Sequence, residues 1–381
     1  MQAPQGQDIS PDDVFIAVMG LTGSGKSTFI QQCTQQNVPI GHRLKSFTAS
    51  VSGYSFTYEG YSVHLIDTPG FDDTHRTESS VLQEIVYWLS TAYQPNQSDG
   101  SNGFLLNGII YCQAIAGPRW TGSSTRSLRI LQAICGSANH DAVTVVSTFW
   151  DIADRNLAHE HEKQLLTSPD MLGPIFTTRP KATHFRQDSG YRSAAKILNF
   201  IINRNKKFIL QIQRELASPN ATLSNTRAGR EAARLWEEDI EAVQRRINDA
   251  RAEIATSTDE FPELEWEIAQ YRLDISSSQT ALNELALSRH DLLEKWTQRN
   301  NEEVHALDVE LERCRKQILK LQKTNAIDYL QEARLRESEL VVQRAAKIAG
   351  RGINWSAVQA GVSGVGVALA VLPLTGLCNV M

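Results

Sequence analysis

Two hydrophobic rhythms follow one another along this chain, and the change falls near residue 205. Before it, short apolar runs alternate with amphipathic stretches. The run 14–19, Val-Phe-Ile-Ala-Val-Met, is apolar throughout, as a strand buried on both faces requires. Residues 54–66 predict two strands that turn at Glu59-Gly60. Positions 78–92 set Val81, Leu82, Ile85, Val86 and Leu89 on one face of a helix. The dense runs 104–111 and 143–147 suit central strands, and 127–135, 157–166 and 194–203 read as helices. A short strand is expected over 174–178. Strands and helices in alternation over this length predict a three-layer α/β domain with a mainly parallel sheet.

Beyond residue 205 the spacing becomes helical. Trp236, Ile240, Val243, Ile247, Ala250 and Ile254 recur at steps of three and four, as do Val304, Leu307, Leu311, Cys314, Ile318 and Leu321. Pro219-Asn220 and the segment 256–262 interrupt the pattern, which favours a helical hairpin or bundle. The long stretch 276–347 equally suits an extended coiled coil that takes a second coiled-coil protein. The expected division is a flexible leader over 1–13, an α/β domain over 14–205, a helical arm over 206–348 and a tail over 349–381.

Charge and composition narrow this little. A formal net charge of -5 over 381 residues carries no bulk basic signal, so nucleic acid is not an expected partner. Five scattered cysteines form neither a disulfide framework nor a zinc spacing, and they fit a reducing cytoplasmic setting. The tail changes the picture more. Residues 357–377 hold no charged side chain, are rich in Gly, Ala, Val and Leu, and follow Arg344, Lys347 and Arg351. That length is close to the roughly 20 residues that span a hydrocarbon core, so a membrane-attached C-terminus at a cytosolic face is an expectation. A Gly-rich segment folded against the helices is the alternative. Cys378-Asn379-Val380-Met381 also fits a C-a-a-X lipidation pattern, with Cys378 as the acceptor.

The chemistry is concentrated after the first strand. Gly20-Leu21-Thr22-Gly23-Ser24-Gly25-Lys26-Ser27 matches the phosphate-loop pattern, and Thr28 continues into a helix. Backbone N–H groups at such a helix start surround phosphate oxygens. Lys26 is placed to reach the β- and γ-phosphates and Ser27 to ligate Mg2+. Downstream, an apolar strand ends in Asp67-Thr68-Pro69-Gly70. A carboxylate there can hold Mg2+ directly or through water, and the Gly70 N–H would face the γ-phosphate.

Together these motifs resemble the translation-factor class of GTPases, in particular the septin-like branch that includes the AIG1-type immune-associated GTPases and fungal G domain-containing proteins. The resemblance covers about residues 14–205 and implies a G domain that binds GTP and GDP with Mg2+. It implies a switch threonine on Mg2+ and the γ-phosphate, matched by Thr48, with Ser46 and Ser50 as rivals. It implies base recognition by Thr148-Phe149-Trp150-Asp151, in which Thr148 and Asp151 match the family and the usual lysine is missing. Asp151 would accept hydrogen bonds from guanine N1–H and the 2-amino group; it is alternatively a helix N-cap. Phe149 or Trp150 would stack on the base, which leaves ATP open beside GTP. No glutamine follows Gly70; Phe71, Asp72 and Asp73 occupy that loop, while His42, Arg43 and Lys45 are candidate cations for transition-state charge. The resemblance therefore implies slow hydrolysis and face-to-face pairing of two G domains. A nucleotide-binding structural or membrane scaffold with negligible turnover, and an ATPase of the same fold, are the alternatives.

Overall fold

The computed structural model describes residues 12–35, 52–72, 78–92, 105–116, 120–217, 221–256, 262–285, 289–324 and 327–349. The first part is a three-layer α/β fold around a six-stranded sheet. Its strands are β1 (Val14–Gly20), β2 (Ser52–Tyr58), β3 (Tyr61–Asp67), β4 (Gly108–Ala114), β5 (Val143–Thr148) and β6 (Thr183–Arg186), in the order β2-β3-β1-β4-β5-β6. β2 runs antiparallel to β3, and every other pairing is parallel. β1 lies at the centre and is buried at all of its positions, which is why its sequence carries no polar alternation. The β2–β3 hairpin turns at Glu59 and Gly60, both at positive φ (48° and 87°), a two-residue turn whose twist suits a hairpin.

Six helices accompany this sheet: α1 (Lys26–Thr34), α2 (Glu78–Ala92), α3 (Gly122–Cys135), α4 (Arg155–Thr167), α5 (Gly173–Thr177) and α6 (Tyr191–Asn203). Phe29, Ile30, Cys33, Ala194, Ile197, Leu198 and Ile201 cover one face of the sheet. Val81, Leu82, Ile85, Leu89, Leu128, Leu131 and Ile134 cover the other. Residues 174–178, expected as a strand, instead form most of α5, because Pro174 sits in its first turn, where its fixed φ starts a helix and its missing N–H costs nothing. The sixth strand comes later, as β6. The fourth begins at Gly108 rather than 104; Leu106 makes only an isolated bridge to Phe208.

The described residues that follow are mainly helical: α7 (Gln211–Glu215), α8 (Arg227–Thr256), α9 (Pro262–Glu284), α10 (Arg289–Thr324) and α11 (Ile327–Ala349). The two apolar seams close within the chain. Ile247, Ala250 and Ile268 join α8 to α9, and Leu311, Cys314, Ile318, Ala333 and Leu340 join α10 to α11. The stretch 276–347 is therefore shared among three helices rather than one continuous rod. Leu223, Ala228, Ala232, Leu235, Trp236, Ala281 and Leu285 belong to the same apolar core as α2 and α3. Among the described residues no helix is long and apolar enough to cross a membrane, and the tail with Cys378 lies outside them.

Candidate functional site

The turn between β1 and α1 is shaped by its glycines. A Cβ on Gly20 (φ 141°) would lie 2.4 Å from the Cys112 carbonyl oxygen of β4, so only glycine lets the strand leave the sheet there. Gly25 is left-handed (φ 90°, ψ 16°) and precedes α1 directly. Lys26 folds back over the loop, and its Nζ donates to the Gly20 and Leu21 carbonyl oxygens at 3.1 and 2.8 Å. Those bonds hold the ammonium at the loop rather than in solvent. Among the described residues Ser24 Oγ is buried without a hydrogen-bond partner, an open polar position inside the loop. Thr22 and Gly23 are exposed at its rim, and Thr28 is half-buried in the first turn of α1.

Ser27 Oγ donates to Asp67 Oδ2 at 3.1 Å, joining the start of α1 to the end of β3. This hard-oxygen pair suits Mg2+: neighbouring ligands in an octahedron with bonds of about 2.1 Å lie roughly 3.0 Å apart. Among the described residues no three His, Cys, Asp or Glu side chains cluster as a metal cage. One or two protein oxygens completed by phosphate and water are what Mg2+ takes. Thr68 is fixed beside the pair, its N–H and Oγ1 both donating to the Val18 carbonyl at 3.2 and 2.9 Å.

Gly70 closes on the phosphate loop. A Cβ there would fall 2.3 Å from Thr22 N and from Thr22 Oγ1, so the two loops touch backbone to backbone. Phe71 turns into the core and is buried, while Asp72 is exposed. Thr48, its rivals Ser46 and Ser50, the cations His42, Arg43 and Lys45, and Asp73 lie outside the described residues.

On the base side, Thr148 Oγ1 donates to the Ser24 carbonyl at 2.7 Å, tying the end of β5 to the phosphate loop. Phe149 takes positive φ (63°), and its ring edge lies 3.4 Å from the position of a Cβ on Gly25. Trp150 turns the other way, its Nε1 donating to Ser147 Oγ at 2.9 Å. Asp151 is exposed, and it does not cap the following helix. That part belongs to Asp154, whose Oδ1 accepts from Leu157 N at 3.0 Å. The structure thus brings together Gly20 to Thr28, Asp67, Gly70 and Thr148.

The sequence did not point to Arg186, which covers the Trp150 ring, or to Glu162 and His184 behind it. A signal existed: Glu162 falls between Ala158 and Leu165 on the buried stripe of α4, where a carboxylate needs partners. A separate cleft of about 460 Å³ lies between the end of β4, the start of α3 and α4, lined by Gln113, Trp120, His161 and Met171 among others; it includes no phosphate-loop residue.

The fold and this loop geometry define a three-layer α/β P-loop NTPase. The family model for 50S ribosome-binding GTPases matches residues 15–95. Immune-associated nucleotide-binding protein 7 of Arabidopsis thaliana is 31% identical over 147 residues, which is 36% of this chain and 42% of that protein. The chain thus spans less than half the length of that curated relative. Toc33 from Arabidopsis thaliana in complex with GDP and Mg2+ aligns over 52% of this chain and 88% of its own at 15% identity, with a TM-score of 0.40. The G domain of the T. maritima FeoB iron transporter covers 50% of this chain and 97% of its own at 17% identity, with a TM-score of 0.29. Over these segments the chain is similar to the 50S ribosome-binding GTPase model and to an immune-associated nucleotide-binding protein. None of these matches bears on a septin-like or fungal placement.

Proposed function

We propose that this chain is a guanine-nucleotide switch that binds GTP and GDP with Mg2+ and hydrolyses GTP slowly to GDP and phosphate. The observation that carries the reading is the Ser27–Asp67 contact beside Lys26 and Gly70, because it gathers phosphate, metal and γ-phosphate groups at one point. Mg2+ would be held by Ser27, Asp67 and, by resemblance, Thr48, and it supplies neutralisation of charge on the β- and γ-phosphate oxygens. Lys26 and the N–H groups of residues 21–28 hold the phosphates, and Gly70 presents its N–H to the γ-phosphate. Water attacks γ-phosphorus in line; the new P–O bond forms as the bond to the β-phosphate bridging oxygen breaks, and the proton leaves to phosphate or solvent. The buried Phe71 supports a slow rate, since the position after Gly70 offers no group to orient that water.

Asp151 supports guanine as the base. It is exposed next to the phosphate loop's β5 neighbour, and Asp154 relieves it of helix capping. Two G domains pair face to face in this reading, and Ile152 and Tyr191, exposed apolar side chains near the base segment and at the start of α6, suit such a face. The helical arm over 206–348 reports nucleotide state. Its grip on α2, the helix that follows the Gly70 loop, supports this: Ser79 Oγ donates to Glu284 Oε2 at 2.7 Å, and Gln83 Nε2 to the Glu284 carbonyl at 3.1 Å. The uncharged tail and Cys378 serve as a membrane attachment at the cytosolic face, with a coiled-coil protein as a further partner.

Phe149 favours one second reading. An apolar ring occupies the lysine position against Gly25, and stacking alone accepts adenine as well as guanine. Calorimetry with GTP, GDP and ATP separates the two, and equal affinity for ATP would sink guanine specificity. Lys26→Ala should abolish triphosphate binding. Phosphate release measured over rising protein concentration tests pairing and turnover; none at any concentration would favour a nucleotide-binding scaffold.

A further inference from the structure

The segment that follows β5 is clamped from behind. Trp150 commits its indole N–H to Ser147 Oγ at 2.9 Å. The Arg186 guanidinium covers one face of its ring, 4.5 Å from the centroid, and His159 meets it edge-on at 5.5 Å. Arg186 is itself held: Nε donates to Glu162 Oε1 at 2.6 Å and Nη2 donates to Glu162 Oε2, a two-point contact that fixes the guanidinium plane. Glu162 has only 10% of its side chain exposed, and His184 Nε2 lies 3.6 Å from it while sharing Ser147 Oγ at 3.0 Å. The ends of β5 and β6 and the middle of α4 therefore converge on one indole.

The consequence is a division of labour between adjacent aromatic residues. Phe149 sits at positive φ, a conformation unfavourable for an L side chain, and its ring lies over the phosphate loop. Trp150, with one face covered, its edge met and its N–H used, is anchored in the opposite direction. Asp151 follows it directly and is exposed. Among the described residues this segment is fixed by the tie at Thr148 and by the clamp on Trp150. We infer that Arg186 and Glu162 are positioning residues for purine recognition: acting through Trp150, they fix where Phe149 and Asp151 meet the base. The inference rests on the guanine reading above and concerns how that base is discriminated.

The test uses the full chain and calorimetry with Mg2+ and four probes: GDP, IDP (which lacks the 2-amino group), ADP and base-free tripolyphosphate. Arg186→Gln should reduce the preference for GDP over IDP and ADP by roughly tenfold or more while tripolyphosphate affinity stays within about twofold. Arg186→Gln leaves a buried carboxylate without its partner and can disturb folding, so Glu162→Gln/Arg186→Gln, which removes both charges, is the second variant. It should lose discrimination to the same degree, and Trp150→Phe, which keeps a ring for Arg186, should retain most of it. Unchanged discrimination in the folded double variant overturns the inference, as does an equal loss for tripolyphosphate, which marks a general structural defect. If the unaltered protein binds ADP as tightly as GDP, the guanine reading itself fails and this inference falls with it.

Discussion

The indole N–H of Trp236, in α8, donates to the carboxylate of Glu78 at 3.0 Å. Glu78 is the first residue of α2, and Arg126 of α3 lies 3.4 Å from it while also gripping Asp239 of α8 at 2.8 Å. Burial pushes the Glu78 carboxyl up from its ordinary value, and Arg126 and the indole oppose that. Trp236→Phe keeps the packing and removes one donor, so it should cost about 1–2 kcal/mol in urea unfolding. Trp236→Ala also leaves a cavity and should cost about 3–5 kcal/mol. Equal stability of the Phe variant and the unaltered protein would show that the hydrogen bond carries no net weight.

Gly70→Ala tests the contact of the two loops. The added methyl carbon meets the Thr22 backbone 2.3 Å away, so one loop must move. GTP affinity should fall about tenfold while GDP affinity changes less than about twofold, as read by calorimetry. Parallel losses for both nucleotides would mean that Gly70 supports the loop without sensing the third phosphate.

Acid should loosen the region behind the base segment. Burial holds the His184 pKa below its ordinary 6.5; the Glu162 charge opposes that and Arg186 adds to it. Unfolding lets the imidazole take up a proton more readily. Its contribution to stability is thus complete above 6.5 and declines as pH falls through 6.5 toward the folded value. His64 and His140 are shifted by burial in the same direction and add to the slope. His184→Gln should flatten part of the fall in unfolding midpoint between about pH 7 and about pH 5, and an unchanged slope would exclude His184 as a contributor.

The buried thiols should be silent in the native protein. Cys33, Cys112, Cys135 and Cys314 are free and buried, and burial pushes Cys112 and Cys135 up to about 12. Thiolate is the reactive form, so alkylation of these four should need denaturant, as peptide masses after labelling will report. Native labelling of Cys112 at the rate of a free thiol would contradict its packing beside the phosphate loop.

Some of this was legible in the sequence because it is local. The phosphate loop needs glycines where the backbone turns and touches its neighbours, and Gly20 and Gly25 record that need. The 78–92 helix was readable from its apolar face alone. Local pattern failed where two states share a composition: Pro-Ile-Phe-Thr suits a strand or a first helical turn, and the latter prevailed at α5. It also offered Asp151 as the cap of the next helix, whereas α4 starts at Arg155 and is capped by Asp154. The Trp150 clamp was hidden for another reason. Its members come from β5, α4 and β6, and only the parallel pairing of β5 with β6 sets His184 and Arg186 beside Val145 and Ser147.

The shared core around α2 and α3 has a practical consequence for anyone dividing this chain. Leu82, Ile85 and Leu89 pack in one cluster with Leu223, Leu235, Trp236 and Leu285. A fragment that stops at residue 205 would bare that apolar surface to water and should be prone to stick to itself. Ser224 N donates to the Leu285 carbonyl at 2.9 Å, joining the segment before α8 to the end of α9. The shortest piece expected to behave as an autonomous folding unit therefore extends past Leu285, well into what its periodicity marks as the arm.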